Sequence, residues 1–427
     1  MALLAGLLLI AQKSEAQFLM DMIDTSRDMG RGMLSLLKRF DHLIIGGYMQ
    51  PQFQFTTSKG AKGYSGGDFA PRSNNRFMLR RGRVRFDYAH YNEKDQPTVH
   101  FAIQFDGTER GVNIRDLWGR VFENKWQLFM VTGGMFARPF GYEINLSSSD
   151  REAPERGRMS QILMRTERDL GAMVSFSPRV KNHPLRYLKV DVGVFNGQGM
   201  TGPNEYDSYK DLIAHIGLKP YPITPKITLS GGVSVLQGGM ASPSKYIYKM
   251  GDGSSGKQFL VDSAEDNKDS KSPREYRGAD MQWKLKTKWG NTELRGEYWF
   301  GNQTAYANTT ETPGTLTNEP FYLRKFNGAF ICFLQHIVNT SNQLVVKYDW
   351  YDPNTEVSGK QIGAPGRNLT PADIKYNTLG FGYVRYINQN LKLFLWYDRV
   401  TNESTSLNGY TDDLEDDVFT CRLQFRF

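Results

Sequence analysis

The segment DVFTCRLQFRF (417–427) alternates strictly: Phe419, Cys421, Leu423, Phe425 and Phe427 share one face, and Arg422, Gln424 and Arg426 share the other. A period of two is the signature of a β-strand, whose successive side chains point to opposite sides. Apolar residues opposite charged ones place one face in oil and the other in water. The same division recurs upstream. In GADMQWKLKTKW (278–289), Met281, Trp283, Leu285 and Trp289 oppose Lys284, Lys286 and Lys288. In LKLFLWYDRV (391–400), Leu391, Leu393, Leu395 and Tyr397 oppose Lys392 and Asp398.

Outward from these segments, residues 43–427 read as about sixteen such runs, each close to the length of a tilted membrane strand. The connections alternate between tight turns (YNEKDQ, ENKW, YPITP, GNT, NTSN, INQN) and long polar loops (56–75, 137–169, 197–210, 238–277, 302–322, 352–374, 401–416). That alternation predicts an all-β transmembrane antiparallel barrel with short periplasmic turns and long extracellular loops. In oil an open sheet edge leaves backbone groups unsatisfied, so the first and last strands are expected to pair. Composition agrees. The 427 residues are 39% hydrophobic and 13% aromatic, and no internal run approaches the ~20 apolar residues of a membrane helix. Two cysteines make neither a disulfide framework nor a four-ligand zinc site. Both lie on apolar strand faces, Cys332 and Cys421, and are expected to face lipid. The net charge of +8 is compatible with nucleic acid, an anionic membrane or an anionic solute.

Residues 1–16 read as a secretory signal peptide, with the apolar run ALLAGLLLIA (2–11) ahead of small Ser14 and Ala16. Residues 17–42 form a periplasmic extension. Within it Phe18, Met22, Met29, Met33, Leu36, Leu37 and Phe40 recur near helical spacing and predict a short amphipathic helix, one that plugs a pore, lies on a membrane or docks loosely.

Two stretches sharpen the reading. RFMLRRGRVRF (76–86) resembles the arginine-rich second strand of the phosphate-selective porin O/P family. GGMFARPFGYEINLSSSD (133–150) with RTERDLGAMV (165–174) is similar to that family's fifth strand, inward-folded third loop and sixth-strand start. The resemblance implies an outer-membrane homotrimer passing anions, phosphate or polyphosphate among them, through an Arg- and Lys-lined pore. It also implies recognition of terminal Phe427 by the outer-membrane assembly machinery. No nucleic-acid partner and no cofactor are expected.

Arg81, Arg83 and Arg85 share a face opposite Gly82, Val84, Phe86 and Tyr88, while Arg80 breaks the alternation and predicts a bulge or a rim position. Guanidinium groups stacked on a lumen wall offer bidentate sites for oxyanions. Alternatively they form salt bridges that stiffen the wall and hold loops. Lys284, Lys286 and Lys288 make a second basic row; Arg422 and Arg426 add to the lining. Loop 137–169 is the expected constriction. It carries Arg138, Arg151, Arg156, Arg158, Arg165 and Arg168 against six carboxylates, Glu152 and Glu155 among them. Six against six departs from a basic, phosphate-selective constriction. Neutralising Glu152 and Glu155 is expected to raise anion preference.

Other motifs carry less. GDGSSGKQ (251–258) has P-loop spacing, but Gln258 stands at the Ser/Thr position; it reads as a flexible extracellular loop. Asp262, Glu265, Asp266 and Asp269 fit no calcium motif. The six histidines have no metalloprotease spacing. The leading expectation is a passive anion pore. The alternatives are a weakly selective general porin and a barrel enzyme or surface-binding barrel.

Overall fold

A computed structural model describes residues 42–427 apart from 201, 203 and 255. The proposed signal peptide and all of the extension but residue 42 lie outside the described residues.

Sixteen antiparallel strands close into one barrel: β1 (Leu43–Thr56), β2 (Asn75–Tyr91), β3 (Pro97–Thr108), β4 (Gly111–Phe122), β5 (Phe129–Ala137), β6 (Arg168–Phe176), β7 (Leu188–Phe195), β8 (Asp211–Pro222), β9 (Ile227–Ala241), β12 (Lys271–Thr287), β13 (Gly290–Ala305), β14 (Phe321–His336), β15 (Asn342–Asp352), β16 (Tyr376–Tyr386), β17 (Leu391–Asn402) and β18 (Val418–Arg426). Each pairs with its chain neighbours, and β1 closes on β18 with Met49 opposite Phe425 and Phe53 opposite Cys421. The Gly47 and Phe427 backbones exchange hydrogen bonds of 3.1 and 3.0 Å. A side chain at Gly47 would meet the Phe427 ring at 2.5 Å, so the terminal aromatic needs glycine beneath it.

The remaining strands, β10 (Ile247–Gly253) and β11 (Gly256–Asp262), form a hairpin within the connection from β9 to β12. Within the segment 251–258, residues 251–253 and 256–258 belong to the paired strands of this hairpin, a correction to the expected flexible loop. Phe259 of the hairpin is buried with Val357, Ile362, Leu369 and Ile374 of the neighbouring loops. Leu260 and Phe259 alternate across the hairpin, and this local burial is what orders it. Two of the acidic residues nearby pair with lysines, Asp262 with Lys249 and Glu265 with Lys245.

The outer faces form an apolar belt. Val131, Val174, Val233, Ile331, Val346 and Phe381 are exposed there, and Trp126, Trp289, Tyr91 and Tyr221 sit near the short turns. An uninterrupted exposed apolar belt fits a lipid surround, with interfacial aromatics at its rim.

The inner faces are of two kinds. From β1 to β4 they are mostly charged or amide-bearing, with Trp118 among them, and β5 and β6 add Phe136 and Met173. From β12 to β15 an apolar cluster is interspersed with buried charges: Tyr276, Trp299, Phe326, Phe330, Cys332, Leu334, Val345 and Tyr351 are buried inside alongside Arg274, Glu297, Arg324, Lys347 and Asp349. Cys332 therefore packs in the interior, against the expectation that it faces lipid; its strand is apolar on both sides, so polarity could not tell them apart. Cys421 shares the outward face with Phe419 and Leu423 as expected.

Candidate functional site

Loop 138–167 leaves β5, folds into the lumen and returns as β6. One flank is held by oil. Phe140, Ile144, Met159, Ile162 and Leu163 join the buried cluster that includes Phe136, Tyr276, Trp299 and Tyr351. Met159 to Leu163 belong to one short helix, α1 (Arg158–Leu163). The same flank is fastened by hydrogen bonds. Glu297 of β13 accepts the backbone N–H groups of Tyr142 and Glu143, both at 2.9 Å. Gly141 immediately precedes them at φ +63°, and a Cβ there would stand 1.8 Å from Glu297 Oε1. The RPFGYE turn thus needs glycine for both conformation and space. Glu143 pairs with Lys347 of β15, and Asp349 accepts the Arg158 N–H at 3.1 Å.

The other flank is held by ions. Glu155 accepts from Arg80 at 2.9 Å and from Arg81 and Arg422 at 2.7 Å each. Burial alone would raise its carboxyl, but the three guanidinium groups outweigh that and hold it well below the usual carboxylate range. An ion pair also fastens the loop on the β13 side, where Glu152 receives both arms of Arg295 at 2.7 and 3.1 Å. Arg426 reaches Asp150 at 3.2 Å, near the short-turn end. Ser148 Oγ lies 2.6 Å from Tyr48 Oη and accepts from Arg83 at 2.8 Å.

Two bulges aim the arginines. The β1–β2 register steps between Met49 and Pro51, so Arg80 and Arg81 together oppose Gln50. This is the interruption that Arg80 suggested in the sequence, and it lets consecutive residues both face inward. The β3–β4 register steps between Gln104 and Phe105, which turns Arg115 inward beside Asp116.

The result is a chain of ion pairs running along the wall from β2 to β6 and onto the inward loop. Arg83 meets Asp106 at 2.8 Å; Arg115 meets Glu167 at 2.8 Å and Asp106 at 3.7 Å. Glu167 also contacts Arg156 at 3.3 Å and Arg168 at 3.7 Å. Arg168 meets Asp116 at 3.0 Å, and Arg85 meets Asp87 at 2.6 Å.

Cavities lie on both sides of this chain. The outer one, about 830 Å³ at the long-loop end, is lined by nine cationic side chains and five carboxylates. Two lie toward the short-turn end. One of about 400 Å³ has six cations and two side-chain carboxylates, and one of about 570 Å³ has five and three. Arg83 and Arg115 line both the outer cavity and the 400 Å³ one, which places the narrowing at these two residues. The balance of six against six within the loop therefore describes only the loop: the wall adds the surplus.

The sequence-derived candidates distribute as follows. Arg80, Arg81, Arg83 and Arg85 are brought together along β2. Arg138 is buried at the start of the loop, donating to the Thr166 carbonyl. Arg151 is buried beneath the narrowing, with the Leu146 carbonyl at 3.4 Å. Arg156 joins the ion chain. Arg158 stacks 3.6 Å from the Tyr376 ring centroid, and Arg165 pairs with Glu311 at 2.9 Å at the outer mouth. The lysine row is dispersed. Lys284 pairs with Glu293 at 2.9 Å, Lys286 sits on the last rungs of β12, and Lys288 belongs to the turn, with its ammonium 4.9 Å from the Trp289 ring. The last is a correction: β12 ends at Thr287, so Lys288 is not on the wall. Arg115, Arg120 and Arg295 escaped the sequence reading. The signal for Arg115 was present, since Arg115–Asp116 breaks alternation just as Arg80–Arg81 does.

No family model matches the chain, and no curated protein matches it. Solved structures do. OprB of Pseudomonas putida superposes with a TM-score of 0.55 at 9% identity, covering 94% of this chain and 97% of that one. The outer membrane channel DcaP of Acinetobacter baumannii gives 0.53 at 12% identity, covering 90% and 97%. The fold is that of an outer-membrane porin. In that frame the long loops are extracellular and the short turns periplasmic.

Proposed function

We propose that this barrel is a porin of a Gram-negative-type outer membrane through which small anions diffuse passively. The observation that carries this reading is the arginine-rich narrowing between cavities that each hold a surplus of cationic side chains. In a lumen with low-dielectric walls such a surplus raises the local anion concentration, and multiple paired guanidiniums give weak successive sites rather than one tight site. Arg81, Arg83 and Arg85 are the wall residues we assign to passing anions. A reversal potential measured across a bilayer in a salt gradient tests it: anion preference is expected, and cation preference overturns it. Phosphate or polyphosphate is the more specific solute we propose, tested by phosphate block of the chloride current.

A second reading, a weakly selective porin, is favoured by the pairing of loop carboxylates such as Glu143, Glu152, Glu155 and Glu167 with basic side chains. Paired charges attract passing ions less than free ones. We further propose a homotrimer, because the closed barrel has a wide apolar outer belt suited to closed cyclic association. Native mass of the unheated protein decides it, a monomer mass counting against.

A further inference from the structure

The periplasmic cavity of about 570 Å³ differs from the outer one in its walls. Cationic side chains share it with Trp118, Phe136, Pro139, Leu146 and Met173. Arg120 is its distinctive member. The Arg120 Nε donates to Thr132 Oγ1 at 2.8 Å, and its guanidinium carbon lies 4.9 Å from the Trp118 ring centroid. Arg83, Arg85, Arg115 and Arg168 each pair with a carboxylate, whereas Arg120 has none within ion-pair distance among the described residues. It is only partly buried, so the rest of its fork faces the cavity. Arg85 stands 5.6 Å from the same indole centroid.

We propose that this cavity is a subsite for an organic carboxylate carrying a small apolar body. The carboxylate meets the free arm of Arg120, and the apolar body lies between Trp118 and Leu146. A charge-assisted fork selects a planar carboxylate. The apolar walls reward a body that water does not, so affinity rises with apolar area. An inorganic anion uses only the first of these contacts. The proposal rests on the porin reading, of which it names a solute class.

The test uses the purified full-length protein in planar bilayers, with benzoate or acetate added to the periplasmic chamber in potassium chloride. Benzoate is expected to block at a concentration about tenfold below acetate. Arg120→Gln is expected to weaken block by both, and Leu146→Ser to weaken benzoate block more than acetate block. If Arg120→Gln fails to assemble, Leu146→Ser decides alone. An anion-selective wild-type pore that benzoate and acetate block equally, or variants that leave benzoate block unchanged, overturn the subsite while the porin reading stands. A protein that does not conduct, or prefers cations, overturns the porin reading and the subsite with it.

Discussion

Along β2 to β4 most inward side chains are charged and paired, Arg81, Arg83, Asp106, Arg115 and Asp116 among them; from β12 to β15 a buried aromatic and aliphatic cluster, interspersed with charged Arg274, Glu297, Arg324, Lys347 and Asp349, is covered in part by the loop. Both walls face lipid outside with the same apolar belt. What differs is the inward residue of each alternating pair. On the apolar side, burial seats α1 and Phe140. On the arginine wall, ion pairs hold the loop at a distance that keeps cavities open. The arginine-rich narrowing and the apolar seat of the loop therefore lie on different parts of one lumen wall.

The comparison breaks most readily at Gly141. Gly141→Val places a branched side chain at φ +63°, against Glu297, and is expected to unseat the loop. A several-fold rise in single-channel conductance follows; unchanged conductance would show that the apolar wall does not set the bore. Next in size is the double change Arg83→Ala with Arg115→Ala, expected to lower the anion-to-cation permeability ratio several-fold. If the reversal potential stays put, the arginine wall is a brace rather than a filter.

Glu155→Gln sharpens the same contrast from the loop side. Breaking a buried ion pair costs about 3–5 kcal/mol, here falling on the loop rather than on the strand ladder. Anion preference should rise, and the loop should become more open to protease in the otherwise intact barrel. A smaller effect is expected from Leu163→Ala, which removes about 2–5 kcal/mol from the apolar seat and should raise current noise without moving the reversal potential. The smallest concerns pH. Glu155 is held well below its ordinary range, so its contribution is present above the unfolded carboxylate value and is lost only as pH falls through the depressed folded value. Conductance should stay level from about pH 7 to about pH 5; a step in that window would place the tether elsewhere.

The barrel was legible in the sequence because lipid enforces a strict period of two on every outward face, as in Phe419 to Phe427. The bulge at Arg80 was legible for the same reason: it is where the period slips. The apolar inner wall was not. Cys332 and Phe330 satisfy a pattern of apolar residues on both faces, and only the seated loop explains why the inner face is dry. The ion pairs were illegible as well. Glu155 meets Arg80 and Arg81 some 75 positions away and Arg422 267 away, a proximity that alternation does not encode. Lys288 was misplaced because a turn can continue an alternation by chance for one residue.

The tip of the inward loop has a mechanical consequence. Its residues 148–155 bond to both edges of the barrel's closing seam: Gln50 and Arg81 on one side, Arg422 and Gln424 on the other. Gln50 and Gln424 also bond each other at 2.7 Å directly beneath that tip. The seam is thus fastened twice, by the backbone ladder of β1 and β18 and by a latch from within. Parting these two strands sideways into the bilayer requires the latch to be drawn first. In the closed barrel the first and last strands therefore meet over a loop that itself spans the join.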